Sequence, residues 1–257
     1  MSACAMLMQP DYCIPCILKM SVEIIRGVTT DEKQVRRFMS DVLKMEALRW
    51  EKSDVLASEV TRDVWHQMQR FSSIADPLKA MKSEQNSKAL NVYPFIKEML
   101  HESNDPILEA VKFAIAGNSI DALLDAKRGI DGKILNLLSN INKDHVEALK
   151  VRLGKARHVL YFTDNCGEIV FDKLFVETIC AVYRCEIRVI TRRAPILNDA
   201  TLDDALSIGL GKTIAVTDNG IDESLPGTIL EKASEEVRTM VERSDLIISK
   251  GGANYET

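Results

Sequence analysis

Beginning at His158, a β-branched and aromatic run (Val159, Leu160, Tyr161, Phe162) stops abruptly at Thr163-Asp164-Asn165. It turns at Gly167 and opens an amphipathic helix with Glu168 in its first turn. A strand, a tight turn and a helix in that order leave few options for the fold. The same grammar follows twice more: Ile187 to Thr191 leads to Asn198-Asp199, and Ile214 to Thr217 leads to Asp218-Asn219. The expected alternation is strand Val159 to Thr163, helix Glu168 to Tyr183, strand Glu186 to Thr191 and helix Thr201 to Ile208. Strand Thr213 to Thr217, helix Thr228 to Glu242 and strand Leu246 to Ser249 complete it. Such repetition predicts a three-layer α/β/α, Rossmann-like parallel sheet. Ligands of open parallel sheets bind beyond the carboxyl ends of the strands, which is where these polar residues fall.

The first hundred residues read differently. Apolar positions recur at helical spacing from Cys13 to Gly27 and from Asp54 to Phe71, and Thr30-Asp31 opens a helix between them. Asp76-Pro77-Leu78 starts a Lys-rich helix, and Asp105-Pro106 places proline at a first helical position, for a helix ending at Gly117. The expected organisation is an all-helical cap, residues 1–104, before an α/β body, residues 105–257. With 46% hydrophobic residues over 257, a substantial core can be buried.

A formal charge of -5, with no basic patch interleaved with aromatics, argues against nucleic acid as partner. No apolar run approaches the ~20 residues that span a bilayer, and the N-terminus lacks a secretory pattern, so no membrane partner and a cytoplasmic location are expected. Six cysteines in such a chain read as reduced thiols or metal ligands. Cys13 and Cys16 form a single CxxC with no second pair, a pattern that buried thiols at a helix start also explain. The four histidines share no ligand spacing, and no GxSxG or Ser/His/Asp pattern occurs.

Asp164, Asn165 and Asp199 supply two carboxylates and an amide at neighbouring strand ends. All are hard oxygen donors, suited to Mg²⁺ or Mn²⁺ with waters completing the shell and ill suited to zinc. An alternative reading has them only capping helices and shaping turns. Arg192, Arg193 and Lys250 bring cations to the same edge, and Gly251-Gly252 would let backbone approach an anion. The alternative for the two arginines is a solvated loop pair. Metal with cations suggests phosphate chemistry.

TDNCGEIVFDK, PILNDATLDDA and ISKGGANYE, in that order, resemble the family first called domain of unknown function 89, the damage-control phosphatases. Asp11 to Cys16, Asp76-Pro77 with Lys82 and Asn86, Gly117 to Asp121, and Pro226-Gly227-Thr228 extend the resemblance over nearly the whole chain, and the CxxC resembles the prokaryotic branch. The resemblance implies a metal-dependent phosphatase, with a helical cap on a Rossmann-like body, hydrolysing small phosphorylated metabolites with Mn²⁺, Mg²⁺, Co²⁺ or Ni²⁺. It places the metal on Asp164, Asn165 and Asp199 and a phosphate-facing lysine at Lys250. It puts Glu168, Asn118, Asp121 and Asn254 at further site positions. On chemical grounds either Glu168 or Asp121 could accept the proton of an attacking water, while favourable placement at a helix N-terminus explains Glu168 equally well. Family members usually continue beyond this last motif into another strand and helix, so the expectation is either a chain truncated after Thr257 or a sheet that closes differently. Two other classes fit parts of the pattern: an S-adenosylmethionine-dependent methyltransferase, which the single glycine of the Asp164–Glu168 turn disfavours, and a non-catalytic phosphometabolite or metal sensor.

Overall fold

The computed structural model describes residues 10–49, 56–117 and 141–257. Four helices lead: α1 (Pro10–Val28), α2 (Glu32–Val42), α3 (Ala57–Ser72) and α4 (Lys79–Glu102). The second starts as its sequence demands, with the Asp31 side chain accepting from the Lys33 N–H at 2.8 Å. Helix α5 (Pro106–Ala116) is capped by Asp105, which accepts from the Leu108 N–H at 3.1 Å, with proline at the first turn where no amide is needed. Helix α6 (Lys143–Leu153) then leads into the alternating part.

Strand β1 (His158–Phe162), helix α7 (Glu168–Val182), strand β2 (Glu186–Thr191), helix α8 (Leu202–Ser207) and strand β3 (Ala215–Asp218) run in succession. Helix α9 (Glu235–Arg243), strand β4 (Leu246–Ser249) and the short helix α10 (Gly252–Glu256) follow. All strand pairs are parallel and the sheet order is β3-β2-β1-β4. The chain steps outward from β1 to β3, then crosses back to set β4 on the other side of β1. The strand order therefore reverses between β1 and β4, and the crevice outside their carboxyl ends is the switch point where ligands of such sheets bind. Asp164 follows one of these strands and Lys250 the other.

Alternation along β1 sends Val159 and Tyr161 to one face of the sheet and Leu160 and Phe162 to the other. The first face is covered by α7, whose Ile169, Val170, Phe171, Leu174 and Val176 are all buried, with α5 and the C-terminal half of α4 outside it. The second is covered by α9 through Val237 and by Ile221, Leu225 and Ala233. A separate core in α1, α2 and α3 is built on Phe38, Val64, Trp65 and Met68. Helix α4 serves both: Leu78, just before it, lies in the cap core, whereas Ala89, Val92, Ile96 and Leu100 lie in the core of the body.

Three expectations need correction. The helix expected from Thr228 begins only at Glu235, because Thr228 is held by side chains and Ser234 supplies the cap, accepting from the Val237 N–H at 3.2 Å. The third strand starts at Ala215 rather than Thr213, since Leu210 to Lys212 form a turn of 3₁₀ helix that Thr213 closes. Cys13 and Cys16 lie on α1 and are not joined in a disulfide; Cys13 is half-buried and Cys16 exposed, so the expectation of two buried thiols does not hold, and Cys4 lies outside the described residues. No helix among the described residues is long and apolar enough to cross a membrane.

Phe171 is fully buried between the sheet and α5. Truncating it leaves a cavity that the rigid sheet on one side cannot fill. Phe171→Ala is expected to lower the unfolding free energy by about 3–5 kcal/mol, read as a fall in the guanidinium midpoint at unchanged slope.

Candidate active site at the strand switch point

The two loops expected to carry the metal are joined by backbone. Cys166 N–H donates to Asn198 O at 2.8 Å and Ala200 N–H to Asp164 O at 2.7 Å, so Asn165 and Asp199 form an isolated antiparallel bridge. This brings the carboxylates of Asp164 and Asp199 onto one wall, both buried. The Asn165 amide lies beside them and donates to Asp164 Oδ2 at 3.0 Å. Leu197, in the same loop, sits at φ 47, a left-handed conformation that costs a leucine roughly 1–2 kcal/mol. Packing of Ile196 and Leu197 into the cap core compensates for it.

Arg192 is not a solvated loop residue. It is 2% exposed and spans the wall: its Nε donates to Asp199 Oδ2 at 2.8 Å, and its Nη1 to Thr228 Oγ1 and Asn254 Oδ1, each at 2.8 Å. Its Nη2 lies 3.9 Å from Asp164 Oδ1. Asn254 in turn donates to Thr163 O at 3.0 Å and Lys250 O at 2.7 Å, tying the end of β1 to the loop after β4. Arg193 is half exposed and pairs with Asp218 at 3.3 Å and Asp222 at 3.5 Å. Asp218 also shapes its own turn, accepting from the Gly220 N–H at 2.8 Å.

Lys250 enters from β4. Its ammonium donates to Ala114 O at 2.7 Å and to Asp172 Oδ1 at 3.0 Å, and pairs closely with Glu168. Burial by itself would lower the Lys250 pKa, but Asp172 and Glu168 outweigh it and raise it, so the ammonium stays charged. Tyr161 donates to the same Asp172 oxygen at 2.6 Å. Asp172 is a member of the site that sequence reasoning missed. The signal was present, since it lies four residues after Glu168 on the same face of α7. Thr228, quoted only as part of a motif, is likewise a partner of Arg192.

Gly251 adopts φ 86, and a Cβ there would lie 2.2 Å from Asp164 Cγ. The bare Cα is what lets the β4 loop press against the carboxylate. Gly252 has open space where a Cβ would stand. Asn118 and Asp121 lie outside the described residues.

The charges do not balance. Four buried carboxylates (Asp164, Glu168, Asp172, Asp199) face two cations, the buried Arg192 and the partly buried Lys250, a surplus of two negative charges if all are ionised. Burial first, and then Asp199 and Glu168, push the Asp164 pKa up to about 7 in spite of Arg192 and Lys250. A divalent cation has the charge that removes this surplus. Among the described residues no group of three or more His, Cys, Asp or Glu side chains is arranged to hold a metal ion. Two carboxylates and an amide form a smaller set, of the kind used by ions that keep several waters.

The damage-control phosphatase ARMT1-like domain matches residues 10–257. The chain belongs to that family. A damage-control phosphatase of Archaeoglobus fulgidus is 29% identical over 254 residues, 95% of this chain and 85% of the relative. An uncharacterized protein of Methanocaldococcus jannaschii is 32% identical over 251 residues, 95% of this chain and 81% of the relative. The crystal structure of a family protein from Pyrococcus horikoshii superposes with a TM-score of 0.81 at 26% identity, covering 98% of this chain and 87% of that one. The phosphatase expected from the sequence motifs is what these comparisons support.

Gly251→Ala tests the close approach of the two loops. The added methyl would collide with the carboxylate and strain a left-handed backbone position. Phosphate release is expected to fall by about 10-fold or more while cooperative melting persists, as for groups that orient a ligand-bearing side chain.

Proposed function

We propose that the protein is a metal-dependent phosphomonoester hydrolase acting on small phosphorylated metabolites, with Mn²⁺, Mg²⁺, Co²⁺ or Ni²⁺ as cofactor. The observation that carries this reading is the meeting of Asp164, Asn165 and Asp199 at the switch point, with the Lys250 ammonium entering from β4. A divalent ion held by those three residues would polarise a phosphoryl group and acidify a water molecule.

The chain's own residues supply the rest. Arg192 holds Asp199 by its Nε and attracts Asp164, so both carboxylates keep one orientation as their charge changes. Lys250, kept charged by Glu168 and Asp172, offers positive charge for the equatorial oxygens of a phosphoryl group, with Gly251 and Gly252 as the backbone beside it. Asn254 fixes both Arg192 and the Lys250 backbone. Glu168 is buried next to Lys250 and is the described carboxylate placed to accept a proton from attacking water; Asp121 remains the other candidate, with Asn118 beside it in sequence. Residues 1–104 would act as a cap selecting the organic part of the substrate, and residues 105–257 as the catalytic body. A cytoplasmic enzyme whose partner is a metabolite rather than nucleic acid or membrane fits this assignment.

Purified protein, assayed for phosphate release from an aryl phosphate and a phosphometabolite panel with each of the four metals, is expected to be active only with metal. Asp164→Ala and Asp199→Ala should reduce the rate to background. Near wild-type release by either variant, or a wild type inert with every metal, would overturn the proposal.

The same assignment predicts a pH dependence. A folded-state pKa raised to about 7 means that Asp164 favours folding while protonated, and that this contribution is lost as pH rises from its ordinary carboxylate range through 7. Cation binding requires the ionised form and removes the penalty. The rise in melting temperature caused by Mn²⁺ is therefore expected to grow between pH 5.5 and 8, as ~1.4 kcal/mol per pH unit of linked proton release implies at most. A shift independent of pH would count against Asp164 as ligand.

A further inference from the structure

The cap does more than cover the body: it grips both loops of the proposed cation site. Asn86, on α4, is 4% exposed, and its Oδ1 accepts from the Gly167 N–H at 2.6 Å. Gly167 has φ 80 and ends the turn that presents Asp164 and Asn165, and its amide precedes α7, whose own turns leave it without a partner. One turn earlier on the same face, Lys82 is fully buried and pairs with Asp204 at 2.8 Å and Asp76 at 2.9 Å. Asp204 accepts from the Thr201 N–H at 3.0 Å and hydroxyl at 2.7 Å, closing the loop that carries Asp199. Ile196, 0% exposed, anchors that loop in the cap core.

We propose that Asn86 is a positioning residue through which the cap sets the geometry of the cation site, by fixing the Asp164–Asn165 turn at Gly167. This rests on the reading of those residues as ligands. Asn86 touches neither the cation nor substrate. Its Oδ1 is the side-chain acceptor that the structure gives the Gly167 amide; the backbone bonds of the turn run to Asn198 and Ala200 on one side and, from Asn165 O and Gly167 O, to the Ile169 and Val170 amides of α7, so none of them takes the Gly167 N–H. Lys82 locks α4 so that Asn86 has one position. Coupling runs in both directions: a cation that fixes the turn also fixes α4, and so orders the cap.

The test uses Asn86→Ala and Asn86→Asp in the full chain. Asp keeps the acceptor at the same reach, whereas Ala removes it. Mn²⁺ affinity by calorimetric titration is expected to weaken about 10-fold or more in N86A, the range seen when groups supporting a ligand are removed, and to return in N86D. Amide exchange over residues 164–170 should quicken in N86A, with residues 186–191 unchanged, and be restored in N86D. If N86A does not melt cooperatively, Asn86→Ser, too short to reach Gly167, replaces it in both measurements. Wild-type Mn²⁺ affinity together with wild-type exchange over 164–170 in a folded N86A would overturn the proposal. A wild type that binds no Mn²⁺ would instead overturn the cation reading, and exchange over 164–170 would then decide alone whether Asn86 holds the turn.

Discussion

The Arg192 guanidinium is the contact on which the site depends. It is buried at the carboxyl edge of the sheet, and one planar group bonds the loop after β2, the segment at Thr228 and the helix after β4, while facing Asp164 after β1. A planar fork of donors suits this role, since a lysine would offer a single point of charge. Without it, Asp164 and Asp199 would repel each other in a medium that screens poorly, and burial of both would be untenable. The raised pKa of Asp164 shows that even with the arginine the compensation is incomplete. That imbalance is the observation on which the proposed divalent cofactor rests.

A second, partly buried cation repeats the arrangement a short way off. Lys250 meets Glu168 and Asp172, and Tyr161 bonds the same Asp172 oxygen from within β1. The two clusters are linked through Asn254, which bonds Arg192 and the Lys250 carbonyl. A third ion cluster, Lys82 with Asp76 and Asp204, sits at the root of α4. Arg192, Lys250 and Lys82 therefore each bridge elements far apart in sequence. Such groups contribute little net stability compared with apolar packing, but removing one partner leaves a buried charge unpaired, so they fix which arrangement of loops is tolerated. Stability itself comes from the apolar layers on the two faces of the sheet and from the separate cap core.

The helices and strands were legible where local chemistry and tertiary packing agree. Asp31, Asp105 and Thr201 cap helices with their own side chains, and the period-two burial of β1 follows from its sequence. Thr228 to Ser234 was misread as helix because its apolar spacing allows one, while the contacts that prevent it come from Arg192 and Asn219, distant in sequence. Asp164, Asn165, Asp199 and Lys250 stood out as polar residues after successive strands, and the strand-end rule was enough to gather them. Arg192 was recognised as a cation of that edge, but its burial between two carboxylates was not readable from two adjacent arginines.

The sequence alone determined the alternation of strands and helices, the helical first hundred residues and the polar strand ends, because each depends on residues within a few positions of one another. Tertiary structure decided the strand order. Whether β4 lies beside β1 or β3 rests on which faces α7 and α9 cover, and that order creates the switch point at which Asp164 and Lys250 meet. It also decided that α4 belongs to both cores and that Asn86 reaches Gly167, 81 residues away. No local pattern encodes a contact whose two partners are brought together only after the sheet has formed and the cap has closed on it.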